Sequence, residues 1–154
     1  MEKKINPAWI EAVRGTVNPC PYFELQQMVL KDVSWGGALL EIPVQTRHMQ
    51  PFGVVHGGVF ASILDAAGFW AVFSQADPEV GMTTVDLKIN YLAPASSGRL
   101  IGRGRCIKLG RNLGLGEAVV ENDQGKLLAH GTTTVMVQEG LRLPDEVMLV
   151  PKYL

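Results

Sequence analysis

The chain has 154 residues, of which 47% are hydrophobic and 19% charged, with a formal net charge of -1. That length suits one domain with a full core (1–154) and is short for two. The near-neutral balance gives no general attraction to nucleic acid or to an anionic membrane. Two cysteines, Cys20 and Cys106, make neither a disulfide framework nor a metal-ligand pair, and the start MEKKINPAW has no apolar run behind its lysines. The expected setting is therefore a reducing one, the cytoplasm, without a secretory signal.

Asn6-Pro7 offers an N-cap residue followed by proline at the first helical position, which predicts a short helix ended by Gly15. After the link Asn18-Pro19-Cys20-Pro21, two strand-like runs, about 25–33 and 38–44, flank a turn at Ser34-Trp35-Gly36-Gly37. An apolar helix is expected from Gly57 toward Ala76, closed by Ser74-Gln75-Ala76-Asp77-Pro78.

Strands follow to the end of the core, at about 83–92, 99–109, 112–121 and 126–137. The first alternates, with Val85, Leu87, Ile89 and Tyr91 on one face and Thr84, Asp86, Lys88 and Asn90 on the other. Asn122-Asp123-Gln124-Gly125 is a hairpin turn signal. No repeat or low-complexity tract appears, and the tail after Gln138 carries no readable signal.

The central helix holds the most informative residue. In GGVFASILDAAGFWAVFSQA, residues 57–76, Asp65 is the only ionisable side chain, and Phe60, Ile63, Leu64, Phe69, Trp70 and Phe73 surround it. Such a segment reads as a buried helix. Burying an unpaired carboxylate costs several kcal/mol, a cost tolerated mainly at functional sites. The same acid, placed mid-segment, argues against a membrane span.

Small residues share one face of neighbouring strands: Gly102 and Gly104, then Gly114, Gly116 and Ala118, then Ala129 and Gly131. Side by side they leave a trough, and glycine permits bending, so a bulky helix fits against them. The expected fold class is α+β, a curved antiparallel sheet wrapped around one long central helix.

At this point the chain resembles the hotdog-fold acyl-CoA thioesterases, in particular the phenylacetate-pathway and 4-hydroxybenzoyl-CoA thioesterase group. The resemblance covers about residues 20–138. It rests on Met49-Gln50-Pro51-Phe52-Gly53-Val54-Val55-His56-Gly57-Gly58 with Asp65 nine residues past the histidine, and on the strand segment Asp86-Leu87-Lys88-Ile89-Asn90-Tyr91-Leu92-Ala93-Pro94. It implies hydrolysis of acyl-CoA thioesters, with coenzyme A as part of the substrate and no cofactor.

The chemistry can also be argued from the residues. A helix starting at Gly57 directs unpaired amides and partial positive charge beyond its end, and Gly57 and Gly58 let a ligand approach that backbone. A thioester oxyanion would be stabilised there, while Asp65 activates water or attacks directly. Gly57 and Asp65 are about 12 Å apart along a helix axis at 1.5 Å per residue. One carbonyl carbon cannot sit about 3 Å from both, so a shared site requires two subunits with antiparallel central helices. A homodimer is thus expected, as in the hotdog enzymes, with pairing of dimers into a tetramer left open.

Other positions come from the resemblance. Gln50 stands where relatives place Asn, or Gln in the branch with a catalytic Glu. This chain therefore joins the Gln of one branch to the Asp of the other, and whether Asp65 is nucleophile or general base stays open. Thr84 stands where relatives orient water beside the acid, and His56 is expected to act through its backbone and by shaping the loop. Lys108 and Arg111, with Arg103 and Arg105, are candidates for coenzyme A phosphates. Phe69, Trp70, Phe73 and Met82 are candidate acyl-pocket linings. No metal is expected, because His48, His56 and His130 show no ligand spacing with Cys or acids.

Two other readings remain beside hydrolysis. A hotdog hydratase or dehydratase would use another His–acid pattern, and its Asp-x4-His arrangement is absent. A non-catalytic acyl-CoA binding domain would not need Asp65.

Overall fold

The computed structural model describes residues 2–154. The elements run α1 (Pro7–Val17), α2 (Pro21–Gln26), β1 (Val29–Ser34), β2 (Gly37–Pro43), a 3₁₀ turn (Thr46–His48), α3 (Gly57–Phe73), β3 (Gly81–Tyr91), β4 (Arg99–Leu109), β5 (Leu113–Glu121), β6 (Leu127–Gln138) and α4 (Asp145–Met148). Six antiparallel strands form one sheet in the order β1-β2-β4-β5-β6-β3, and α3 packs along its inner face. The fold is the α+β arrangement expected, with the sheet wrapped around a central helix.

The small-residue trough accounts for that packing. A Cβ on Gly102 would lie 2.7 Å from Ile63, and one on Gly116 would lie 2.6 Å from the Gly68 carbonyl oxygen. One on Gly104 would overlap the Ala67 carbonyl. Backbone therefore meets backbone where α3 crosses β4 and β5. Gly131 differs, because its missing Cβ makes room for the Lys88 carbonyl on the neighbouring β3.

Three local expectations need correction. First, α1 continues through Gly15 to Val17. Glycine in a helix interior costs only about 0.5–1 kcal/mol. Val13 and Val17 are buried, and the Asn18 side chain accepts from Leu30 N (2.8 Å) and donates to Leu30 O (3.3 Å), tying the helix end to β1.

Second, the first strand does not begin at Leu25. Pro21 opens the helix α2 at its first position, Phe23 is buried, and Gln27 closes it at φ 52°. Its main-chain N–H donates to Glu24 O, as does its side chain (2.8 Å).

Third, the alternation of β3 breaks at a bulge between Thr84 and Asp86. One inserted residue reverses the phase of a strand. Val85, expected on one face with Leu87 and Tyr91, is 50% exposed, while Thr84 takes the helix side together with them.

The tail is also placed. Ile5 and Tyr153 form an antiparallel bridge, and Leu154 N donates to Lys4 O (3.0 Å). Lys152, 2% exposed, donates from Nζ to Phe73 O (2.6 Å) and Ala76 O (2.8 Å), carbonyls at and just beyond the end of α3. Burial pushes its ammonium down to about 7, opposed by the Asp77 carboxylate and aided by the Lys3 ammonium. No helix among the described residues is long and apolar enough to cross a membrane.

Candidate active site

The helix is not buried all round. Val59, Phe60, Ile63, Leu64, Ala67, Gly68 and Trp70 to Phe73 are buried, whereas Ala61, Ser62, Asp65, Ala66 and Phe69 are only half-buried. This stripe at i, i+3 and i+4 spacing borders a cavity of about 410 Å³, closed by Tyr22, Phe23 and Met28 beside α2, by Trp70, and by Leu87 of β3. Among the described residues, the Asp65 carboxylate is the one charged group in its wall.

Two hydroxyls hold that carboxylate. Thr84 Oγ1 donates to Oδ1 (3.0 Å) and lies 3.3 Å from Oδ2, and the fully buried Thr133 Oγ1 donates to Oδ1 (2.7 Å). Both threonines come from strands, so sheet and helix jointly fix the acid. Thr133 is absent from the sequence-based candidates. Its signal was present: it is the polar residue sharing the small-residue face of β6 with Ala129 and Gly131.

The start of α3 forms a second group. His56 is the N-cap, and its Nδ1 accepts from Gly58 N (2.8 Å), while its carbonyl accepts from Val59 N (2.9 Å). The histidine side chain is thus a cap. Gly58 N–H is already engaged, which leaves the Gly57 N–H as the donor open to a ligand.

His56 N donates to the carbonyl of buried His48 (2.8 Å). The His48 ring accepts from Gln45 N at Nδ1 (3.0 Å) and donates from Nε2 to Gln26 O (2.8 Å). His48 therefore ties the end of α2 to the loop that starts α3, a role not read from sequence. Gln50 sits in that loop, its side-chain oxygen accepting from Phe52 N.

Gly57 borders a different cavity, of about 350 Å³, with Val54, Phe60, Tyr91 and Pro94. Tyr91 Oη donates to Gly57 O (3.2 Å). The chain brings Asp65, Thr84 and Phe69 together, and separately His56, Gly57 and Gly58. The two groups stay apart, as eight residues of continuous helix dictate.

Met82 and Phe69 meet at a third cavity beyond Trp70. Lys108 and Arg111 are exposed at the β4–β5 hairpin. Gly114, paired with Leu109, abuts Val72, so this hairpin lies by the far end of α3 from Gly57. Arg103 and Arg105 pair with Glu121 (3.3 Å) and Glu117 (2.5 Å) on the outer sheet face. Hydrogen bonds from His130 and Arg105 hold the Glu117 carboxyl below the usual range. No cluster of three or more His, Cys, Asp or Glu side chains with metal-binding geometry occurs among the described residues.

Comparison with known proteins shows the family. A family model described as "Thioesterase superfamily" matches residues 52–129, which span the loop, α3 and the strands through β5 into β6. The chain is 33% identical to the proofreading thioesterase EntH of Klebsiella pneumoniae, over 56% of this chain and 63% of that protein. It is 27% identical to acyl-coenzyme A thioesterase 13 of Mus musculus, over 71% of this chain and 79% of the relative. In fold it is similar to the thioesterase HI1161 from Haemophilus influenzae, with a TM-score of 0.81 and coverage of 92% of this chain and 98% of that one, at 24% identity. With half of its length matched by the family model and the full fold shared, the chain belongs to the thioesterase superfamily.

Proposed function

We propose that the protein hydrolyses acyl-CoA thioesters to free acid and coenzyme A, in a homodimer whose sites each draw on two subunits. The observation that carries this reading is the Asp65 carboxylate, held by Thr84 and Thr133 and exposed to an apolar cavity. A carboxylate fixed by two donors and bordered by apolar walls can activate a water or attack a thioester carbon. The mouse relative carries acyl-coenzyme A in its name, which supports the substrate class.

In this reading the Gly57 N–H of one protomer receives the developing oxyanion, and Asp65 of the other acts on the carbon. Water supplies the oxygen of the product acid, the C–S bond breaks, and coenzyme A leaves as the thiol with the remaining proton. Gln50, whose side-chain oxygen is engaged by Phe52 N, has its NH₂ to offer to the carbonyl. Lys108 and Arg111 are the candidate phosphate contacts, since the arginines beside them are paired to glutamates.

The edge strand β3 supports dimer formation. Its ladder bonds go to β6 alone, and exposed Val85 and Tyr91 lie along it. An open edge is a template for a second copy of the same strand.

The test is thiol release from a panel of acyl-CoAs. Wild-type protein releases free thiol, and Asp65→Ala lowers kcat by about 10²–10⁴-fold. Tight acyl-CoA binding without thiol release, or hydration of an enoyl-CoA without it, would overturn hydrolysis.

A further inference from the structure

The segment after β6 closes a cavity that the catalytic groups do not reach. Leu141 N donates to Gln138 O (3.2 Å), and Arg142 pairs with Glu79 (3.3 Å). The segment lies so close to Gly81 that a Cβ there would come within 2.9 Å of the Leu141 carbonyl oxygen. Leu141 and Leu143 thereby wall a cavity of about 260 Å³ opposite Phe69, Phe73 and Met82.

Phe69 and Trp70 stand in the walls of both this cavity and the one at Asp65. Asp65, Phe69 and Phe73 follow one another at four-residue spacing, so they form one stripe of α3 rising about 12 Å. Phe69 is half-buried; its ring stacks on Phe73 (5.9 Å between centroids) and meets Trp70 edge-on (5.5 Å). Its ring thus stands, with Trp70, where the two spaces adjoin.

An extended alkyl chain advances about 1.25 Å per bond, from a C–C length near 1.5 Å and an angle near 111°. The stripe from Asp65 to Phe73 therefore matches an acyl chain of roughly ten carbons. We propose that the two cavities are one acyl channel passing Phe69, with Leu141 and Leu143 as its end wall. The tail then sets the longest acyl group taken. This rests on the thioesterase reading above and deepens it to medium-chain acyl thioesters.

The test compares kcat/KM for decanoyl-CoA with that for butanoyl-CoA, as a ratio within each variant, so the amount of folded enzyme cancels. Leu143→Trp, which fills the distal cavity, lowers the ratio about tenfold or more, and Leu143→Ala, which opens the end wall, raises the activity on tetradecanoyl-CoA relative to butanoyl-CoA by a similar factor. Loss of stability alone would not move the two variants in opposite directions. Wild type that hydrolyses acyl-CoAs but keeps the same chain-length profile in both variants overturns the channel and leaves the thioesterase reading standing. Wild type that hydrolyses none overturns both.

Discussion

Thr133 donates its hydroxyl to Asp65 Oδ1 across 2.7 Å, from a buried position on β6 to the open stripe of the central helix. The carboxylate on the helix is thus aimed by the sheet, and β3 adds Thr84 through its bulge.

Removing that hydroxyl tests the aiming role. Thr133→Val keeps the volume near constant and deletes a hydrogen bond to a charged group, worth about 1.5–3 kcal/mol. The expected loss is about 10- to 100-fold in kcat with little change in KM, and Thr133→Ser restores most of it. Equal kcat in the valine variant would show that Thr84 alone orients the acid.

Packing of α3 on the sheet makes two glycines behave oppositely. Gly104→Ala forces a methyl into the Ala67 carbonyl and should destabilise by about 3 kcal/mol or more. Gly15→Ala, inside α1 with nothing within 4 Å, should stabilise by about 0.5–1 kcal/mol. Denaturant unfolding midpoints read both, and destabilisation by Gly15→Ala would refute the account of α1.

The fold was largely legible in the sequence, and the reasons are local. The alternation of the late strands, the Asn122–Gly125 turn and the facing small residues all report a sheet bent around a helix. Asp65 stood out because a lone acid in an apolar run needs partners. Its partners were less legible. The resemblance places Thr84 beside the acid, whereas simple alternation sets it on the face opposite Leu87, and the bulge, which leaves no mark in composition, reconciles the two. Thr133 is set apart from Thr132 and Thr134 by sharing the face of Ala129 and Gly131, but that it meets Asp65 follows only from the register with α3. The tail gave no signal, because its contacts with Lys4, Phe73 and Gly81 are all distant in sequence.

Lys152 gives a pH prediction. Its folded pKa, about 7, lies below the unfolded value of about 10.4, so above pH 7 the unfolded chain binds more protons there and stability rises with pH. Between pH 7 and 9 this group adds about 2 kcal/mol to unfolding stability. Lys152→Met lacks that rise, so the wild-type increase minus the variant increase isolates it in urea titrations at the two pH values. Above about pH 10 the trend reverses, because burial raises the Tyr153 phenol to about 12 and favours its protonated folded form. Identical pH dependence in both proteins would mean that the ammonium stays charged in its buried site.

The proposed division of the active site between subunits is tested most directly by complementation. Gly57→Pro removes the donor N–H at a first helical position where proline fits, because His56 already has φ -63° and ψ 139°. Asp65→Ala removes the carboxylate. Each variant alone should be inactive. When the two are unfolded and refolded together, half the dimers are mixed and one of their two sites is intact, so thiol release should recover to about a quarter of the wild-type rate. Mixed dimers that form but stay inactive would place both groups of each site in one chain and contradict the account.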